Sequence, residues 1–385
     1  MRAAPITFAL FLGSLAGCGA AARRPAARGA TPIVEGKPPA TAHPKVPIDA
    51  ATRTRLVEAA AAAMEGGYVF PELGNQAAAH LRDQAAKGAY DALVTAGALT
   101  DRLTADLREL THDKHIAFIV SAQPLPLVDD DVAPSPEDLA AEARAEAVAN
   151  FGFTRIERLA GNIGYLRLDA FMQAALAGDT AEAAMRLLAH TDALIIDLRG
   201  NGGGDPQMVQ LMVSYLHPAT TQIHINDFYL RDGDATVQFW TLPALPGPRY
   251  AGDVYVLTSG NTFSAAEEYA YDLQVEHRGH VVGEVTGGGA NPGGTVRLDD
   301  HVAMFVPFGR AINPETKTNW EGVGVQPDVA VAAPLALDTA YLAALRSRVG
   351  KGADANLEGE IATAIADAER RLADAARPAR PRHGR

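Results

Sequence analysis

Between Asp49 and Leu110 the apolar positions return at helical spacing. Leu56, Ala60 and Met64 form one run and Leu99, Leu103 and Leu107 another, with breaks at Gly66–Gly67 and at Pro71. This pattern predicts a small helical domain over residues 48–120. Residues 121–150 open with proline and aspartate and continue as an Ala/Glu stretch from Pro136, with Ser135 placed to cap it, which predicts a helical connector. Beyond Asn150 the texture changes. Short apolar runs at Ile163–Leu168, Ala193–Leu198, Asp253–Leu257 and Val281–Val282 alternate with helix-length stretches, as expected of an α/β domain in which helices cover a largely parallel sheet. That domain is assigned to residues 151–335. Residues 336–385 form a C-terminal extension, with an amphipathic stretch, an Ala-rich helix at about 356–376, and a basic Pro/Arg tail expected to be disordered.

The N-terminus follows neither pattern. Residues 1–17 carry one Arg, an apolar run from Ile6 to Leu15, and small residues, which read as a cleaved secretion signal. The run is shorter than the roughly 20 residues needed to span a bilayer. Leu15–Ala16–Gly17–Cys18 resembles the bacterial lipobox, so Cys18 is expected to become a lipidated N-terminus; an ordinary signal peptide cut nearby is the alternative. Residues 18–47 hold too few large apolar groups to offset the entropy of ordering and read as a tether. The expected location is the bacterial cell envelope, with the protein anchored to a membrane by lipid. Cys18 is the single cysteine, which excludes an intrachain disulfide.

The chain has 385 residues, 48% of them hydrophobic, enough for a full core and more than one domain. Its net charge of −12 argues against nucleic acid as a partner, because phosphate backbones are held by clustered Lys and Arg.

Four segments carry candidate chemistry. Residues 193–205, ALIIDLRGNGGGD, run a buried strand into a glycine-rich turn ahead of a helix starting at Pro206. Glycines there let backbone N–H groups face an anion. A phosphate loop would end in Gly-Lys-Ser/Thr, and the dinucleotide pattern is interrupted by Asp205, so both nucleotide readings are weakened. Residues 254–268, VYVLTSGNTFSAAEE, repeat the strand–turn–helix plan with Ser264 at the helix start, where amides favour negative charge. Ser264 and Glu267 also satisfy a capping box, which needs no catalysis. A nucleophilic serine needs a base, and His115 in the segment 110–118, LTHDKHIAF, falls at a domain junction where a cleft is expected. His112 competes for any such role. The spacing His112-x-x-His115 lacks an intervening glutamate and a thiolate partner, so no metal is expected. Glu321, in the segment 319–328, is a carboxylate that could orient an imidazole or simply be solvated.

Taken in order, these segments resemble the tail-specific (C-terminal-processing) serine proteases, particularly the branch containing the tricorn core protease and interphotoreceptor retinoid-binding protein. The resemblance runs over roughly residues 55–335. It rests on YVFPE at 68–72, DKH at 113–115, GNIGYL at 161–166, residues 194–204, TFSAAE at 262–267, GEVTGG at 283–288 and GVGVQPD at 322–328. It implies a layered α/β catalytic domain like those of Clp-type proteases and crotonases, and peptide or protein substrates without a cofactor. It also implies Ser264 as nucleophile, His115 as base, Glu321 as acid, and the N–H groups of Gly203 and Ala265 as oxyanion hole. The lysine base of the Ser-Lys branch is missing, since no lysine lies between Ser264 and Lys317; Lys114 remains a candidate. Lys114 also stands where tricorn has a serine. The connector is too short for a PDZ module. Two other readings share the fold: an inert binder of apolar ligands or peptides, and a crotonase-like acyl-CoA enzyme.

Overall fold

The computed structural model describes residues 44–125, 135–352 and 354–375. Cys18, the signal and most of the tether, and the basic tail lie outside the described residues.

Three helices open the fold. Helix α1 (Ala50–Gly67) is capped by Asp49, whose carboxylate accepts the Thr52 N–H at 2.7 Å. Helix α2 (Pro71–Ala86) begins on a proline, which loses no intrahelical bond there. Helix α3 (Ala96–Thr111) is capped by Thr95 and ends at His112, whose φ of 58° turns the chain out of the helix. Their apolar faces, including Leu56, Met64, Leu81, Leu99, Leu103 and Leu107, converge on one core. That core is not closed by residues 48–120 alone. Its floor is strand β10 (Val302–Pro307), through Val302, Met304 and Val306, with β1 (Ala117–Val120) and β9 (Gly293–Arg297) beside it in an antiparallel sheet. Short helices with one apolar stripe each need a partner layer, and here it comes from the far end of the sequence.

Helix α4 (Pro136–Val148) is the connector, with the reciprocal Ser135–Asp138 capping box in place. A six-stranded sheet follows in the order β12 (Val329–Ala330), β8 (His280–Gly283), β7 (Asp253–Thr258), β4 (Ala193–Asp197), β3 (Ile163–Leu168), β2 (Phe153–Leu159). All neighbours are parallel except β2 and β3. Leu194 and Ile196 of β4 pack under α5 (Ala174–Leu188), α6 (Pro206–Tyr215) and α7 (Ala265–Val275). Ala193 and Ile195, pointing the other way, pack under α8 (Ala333–Arg348) and α9 (Ala355–Ala375). The molecule is thus a layered α/β fold preceded by a helical region. A second antiparallel sheet, β11 (Gly309–Ile312), β5 (His224–Leu230), β6 (Ala235–Trp240), leans on the same core through Ala311, Ile225, Phe228 and Phe239.

Strands β4 and β7 are adjacent, so their carboxyl-end turns, 199–204 and 259–264, meet. Open α/β sheets bind ligands at this edge.

Candidate active site

The turn carrying Ser264 is locked to its neighbour. Phe263 N–H donates to the Asn201 carbonyl (3.0 Å), Thr262 Oγ1 to the Leu198 carbonyl (2.8 Å) and Ser259 Oγ to the Arg199 carbonyl (2.6 Å). Ser264 sits at φ 54°, ψ −123°, a conformation costing a residue with a Cβ on the order of 1–3 kcal/mol. An ordinary N-cap is extended. The strain is held by the Ser264 N–H donating to Glu267 Oε2 (2.9 Å) and by the Glu267 and Glu268 N–H groups donating to the Ser264 carbonyl (2.8 and 3.0 Å).

Glu267 does more than cap. Its buried carboxylate also accepts Thr286 Oγ1 (2.5 Å), Gly288 N–H (2.6 Å) and Gly289 N–H (2.9 Å), tying the serine turn to the 286–289 loop. Burial raises its pKa, opposed by these donors.

His115 reaches this turn from the helical layer. Its imidazole is 3% exposed and packs on the Phe263 ring at 4.6 Å and the Phe305 ring at 5.9 Å between centroids. A Cβ on Gly289 would stand 2.7 Å from His115 Cε1 and 2.3 Å from Phe263 Cζ, so only glycine lets the loop lie against both rings. The structure therefore brings His115 against the residue that precedes Ser264.

Two carboxylates flank the imidazole. Asp113 accepts the His115 N–H (2.9 Å), Asn291 Nδ2 (2.9 Å) and the Tyr68 hydroxyl (3.2 Å), and its Oδ1 lies 3.7 Å from His115 Nδ1. Burial would raise the Asp113 pKa, but its bonds and charge attraction to His115, with Asn291, outweigh burial and hold it below the ordinary value. Glu321 Oε2 accepts the Ala290 N–H at 2.5 Å. Burial, and then the charge of Asp113, push the Glu321 carboxyl up to about 7. Donor atoms of Asp113, His115 and Glu321 all lie within 4.8 Å of one another, a set that could also accept a cation.

The remaining expected residues divide. Ala265 opens α7, where a backbone N–H has no partner within the helix, as an oxyanion donor requires. Gly203 packs on the serine, and a Cβ there would come within 2.7 Å of Ser264 Cβ. Its N–H, however, donates to Asn201 Oδ1 (2.9 Å) and does not stand open as expected; Asn201 is held in place by its own bond to the Leu168 carbonyl (2.9 Å). Lys114 Nζ donates to the Gly287 carbonyl at 2.5 Å, fastening the two layers. His112 is an exposed helix terminus. Sequence reasoning assigned no role to Asp113, Tyr68 or Asn291; the signal for Asp113 was its place two residues before His115.

At the carboxyl edge of this layered α/β sheet the serine turn thus meets His115 and Asp113 from the helical layer and a second carboxylate, Glu321, from the 319–328 segment. Residues 162–331 match peptidase family S41. Residues 50–153 match the N-terminal domain of the S41 peptidase in eukaryotic IRBP. Together the two matches span well over half of the chain, which belongs to peptidase family S41. Among solved structures, a candidate peptidase from Parabacteroides merdae ATCC 43184 is 19% identical, with 73% of this chain and 90% of that chain covered at a TM-score of 0.50. A candidate S41 protease from Bacteroides fragilis NCTC 9343 is 16% identical, with coverages of 82% and 97% and a TM-score of 0.50. At these identities the likeness is one of fold. Among the described residues, no helix is long and apolar enough to cross a membrane.

Proposed function

We propose that this chain is a serine-type peptidase in which Ser264 attacks a peptide carbonyl and His115 takes the serine proton, then returns it to the leaving amine. The observation that carries this reading is the packing of the His115 ring on Phe263, next to a serine held in a strained helix-entry conformation. Lysine chemistry is disfavoured because the Lys114 ammonium is spent on a carbonyl.

Asp113 and Glu321 share the task assigned by resemblance to Glu321 alone. Three donors converge on Asp113 and favour its ionised form, so Asp113 orients His115 and stabilises the imidazolium. The 3.7 Å gap to Nδ1 closes as substrate binds, as catalytic contacts in ligand-free sites do. The Ala265 N–H receives the oxyanion; the Gly203 N–H joins it on release from Asn201. A positioned base is worth roughly a hundred- to ten-thousandfold, and one oxyanion donor about 3 kcal/mol. The substrates are peptides or proteins, met at the cell envelope by an enzyme lipidated at Cys18.

The test is covalent labelling by a fluorophosphonate together with hydrolysis of a fluorogenic peptide. Wild type is expected to label and turn over, and Ser264→Ala to do neither. Equal labelling of both would remove Ser264 from the mechanism; co-purified lipid with an unreactive Ser264 would instead establish an inert binder.

A further inference from the structure

We propose that Asp113, His115 and Glu321 form a binding site for one divalent transition-metal cation of the zinc class, and that loading this site silences the peptidase. The binding stands on geometry alone; the silencing rests on the peptidase reading and deepens it.

Two segments far apart in the sequence build the donor set. Asp113 Oδ1 accepts the His115 N–H (2.9 Å), a tight turn that keeps carboxylate and imidazole together, with Oδ1 3.7 Å from Nδ1. The other oxygen, Oδ2, takes the outer donors, Asn291 Nδ2 (2.9 Å) and the Tyr68 hydroxyl (3.2 Å). Outer bonds of this kind fix a ligand carboxylate and leave its inner oxygen for an ion. Glu321 is aimed by its Oε2, which accepts the Ala290 N–H at 2.5 Å. Its Oε1 is buried and has no hydrogen-bond partner among the described residues. A buried carboxylate oxygen without a donor is costly, and a proton or a cation relieves it. One donor atom from each of the three residues lies within 4.8 Å of the others. Metal–ligand bonds of about 2.1 Å in a tetrahedron put ligand atoms about 3.4 Å apart, so a contraction of at most about 1.4 Å for any pair closes the set around an ion.

The donors select the class of cation. Two carboxylates and a neutral imidazole bring two negative charges, while Lys114, between Asp113 and His115 in the chain, is bound to the Gly287 carbonyl instead. One nitrogen with two oxygens suits zinc and its first-row neighbours, whereas calcium and magnesium favour oxygen alone. Three protein ligands leave the fourth position to water. Asp113 and His115 are buried and Glu321 only partly so, which makes the glutamate side the way in. The exposed His112, at the end of α3, is not part of the set. Whichever ring nitrogen binds the ion, a dication on the imidazole opposes the positive charge that protonation would add. A loaded His115 therefore does not take the serine proton.

The full chain is stripped with EDTA and titrated with zinc chloride, binding being read by calorimetry and turnover by hydrolysis of a fluorogenic peptide. Wild type and Ser264→Ala should each take one ion per chain, and Asp113→Asn and Glu321→Gln should each weaken binding by roughly tenfold or more. His112→Ala should leave binding unchanged. Wild-type hydrolysis should fall by roughly a hundredfold as the site fills, the worth of a positioned base, and return with EDTA. Because either carboxylate substitution can loosen the turn, X-ray absorption at the zinc edge is read on loaded wild type, where a single imidazole among oxygen neighbours is expected. The site is overturned by the lack of saturable binding, by binding that survives both carboxylate substitutions or is lost in His112→Ala, or by more than one imidazole on the ion. A loaded enzyme that hydrolyses at full rate, or one that needs the ion to hydrolyse, overturns the silencing. The expected binding without hydrolysis by metal-free wild type keeps the site and overturns the peptidase reading.

Discussion

Two buried aspartates show opposite ways of bearing a carboxyl group in a protein interior. Asp113, 1% exposed, is met by three hydrogen-bond donors and an imidazole, and stays ionised. Asp272, fully buried in α7, has no hydrogen-bond partner of good geometry for either oxygen among the described residues. Burial, then Glu268 and Glu276, push its pKa well above the ordinary value, with the Asn313 side chain offsetting little of that. Adjacent Glu268 takes one bond, from Asn226 Nδ2 at 3.1 Å, and is pushed up to about 8. The first region invests donors to keep a charge; the second keeps a proton and avoids charge. Charge is retained beside the imidazole of the proposed site, and neutrality where α7 packs against the sheet.

The largest expected break of this contrast is Asp113→Asn, which leaves a neutral acceptor beside His115 and should lower kcat roughly a thousandfold while far-UV circular dichroism is preserved. A drop of only a few fold would shift the orienting role to Glu321. Next is Glu267→Ala, which orphans the donors of Ser264, Thr286, Gly288 and Gly289 and should cost about 3 kcal/mol or more in urea unfolding. A native-like midpoint would show that the loop holds itself.

Glu268→Gln probes the other region. Between the carboxyl's ordinary range and about 8 the folded state binds a proton that the unfolded state has released, so wild-type stability falls as pH climbs through this window. The amide removes that slope and still accepts from Asn226. Thermal unfolding should show a variant little changed at pH 5 and more stable at pH 9, by on the order of a few kcal/mol. The smallest effect belongs to Glu321→Gln. As Glu321 ionises near 7 it adds a second negative charge beside His115 and holds the imidazole's proton more tightly. Its loss should move the acid limb of kcat/KM to lower pH by roughly half a unit. An upward shift would mean that Glu321 donates to the ring instead.

Much of the scaffold was legible because it is local. Leucines at helical spacing gave α3, Ser135 its cap, and the four apolar runs became β3, β4, β7 and β8. The antiparallel sheets were not legible. β9 opens on two glycines and so carries no alternating pattern of its own, and in the parallel sheet the edge strand β12 is only two residues long and was equally unreadable. Within the site, Ser264, His115, Ala265 and Glu321 stood in readable motifs. Asp113 acquires its role only through Tyr68 and Asn291, 45 and 178 positions away. The commitment of the Gly203 N–H likewise depends on which way the Asn201 amide turns, which no spacing encodes.

The floor supplied to the first core by Val302, Met304 and Val306 has a consequence for biogenesis. A ribosome delivers the three helices long before the strand that seats them, and the Ser264 turn between the two. The surroundings of His115, which include Phe305 of that strand, are therefore complete only once β10 has docked.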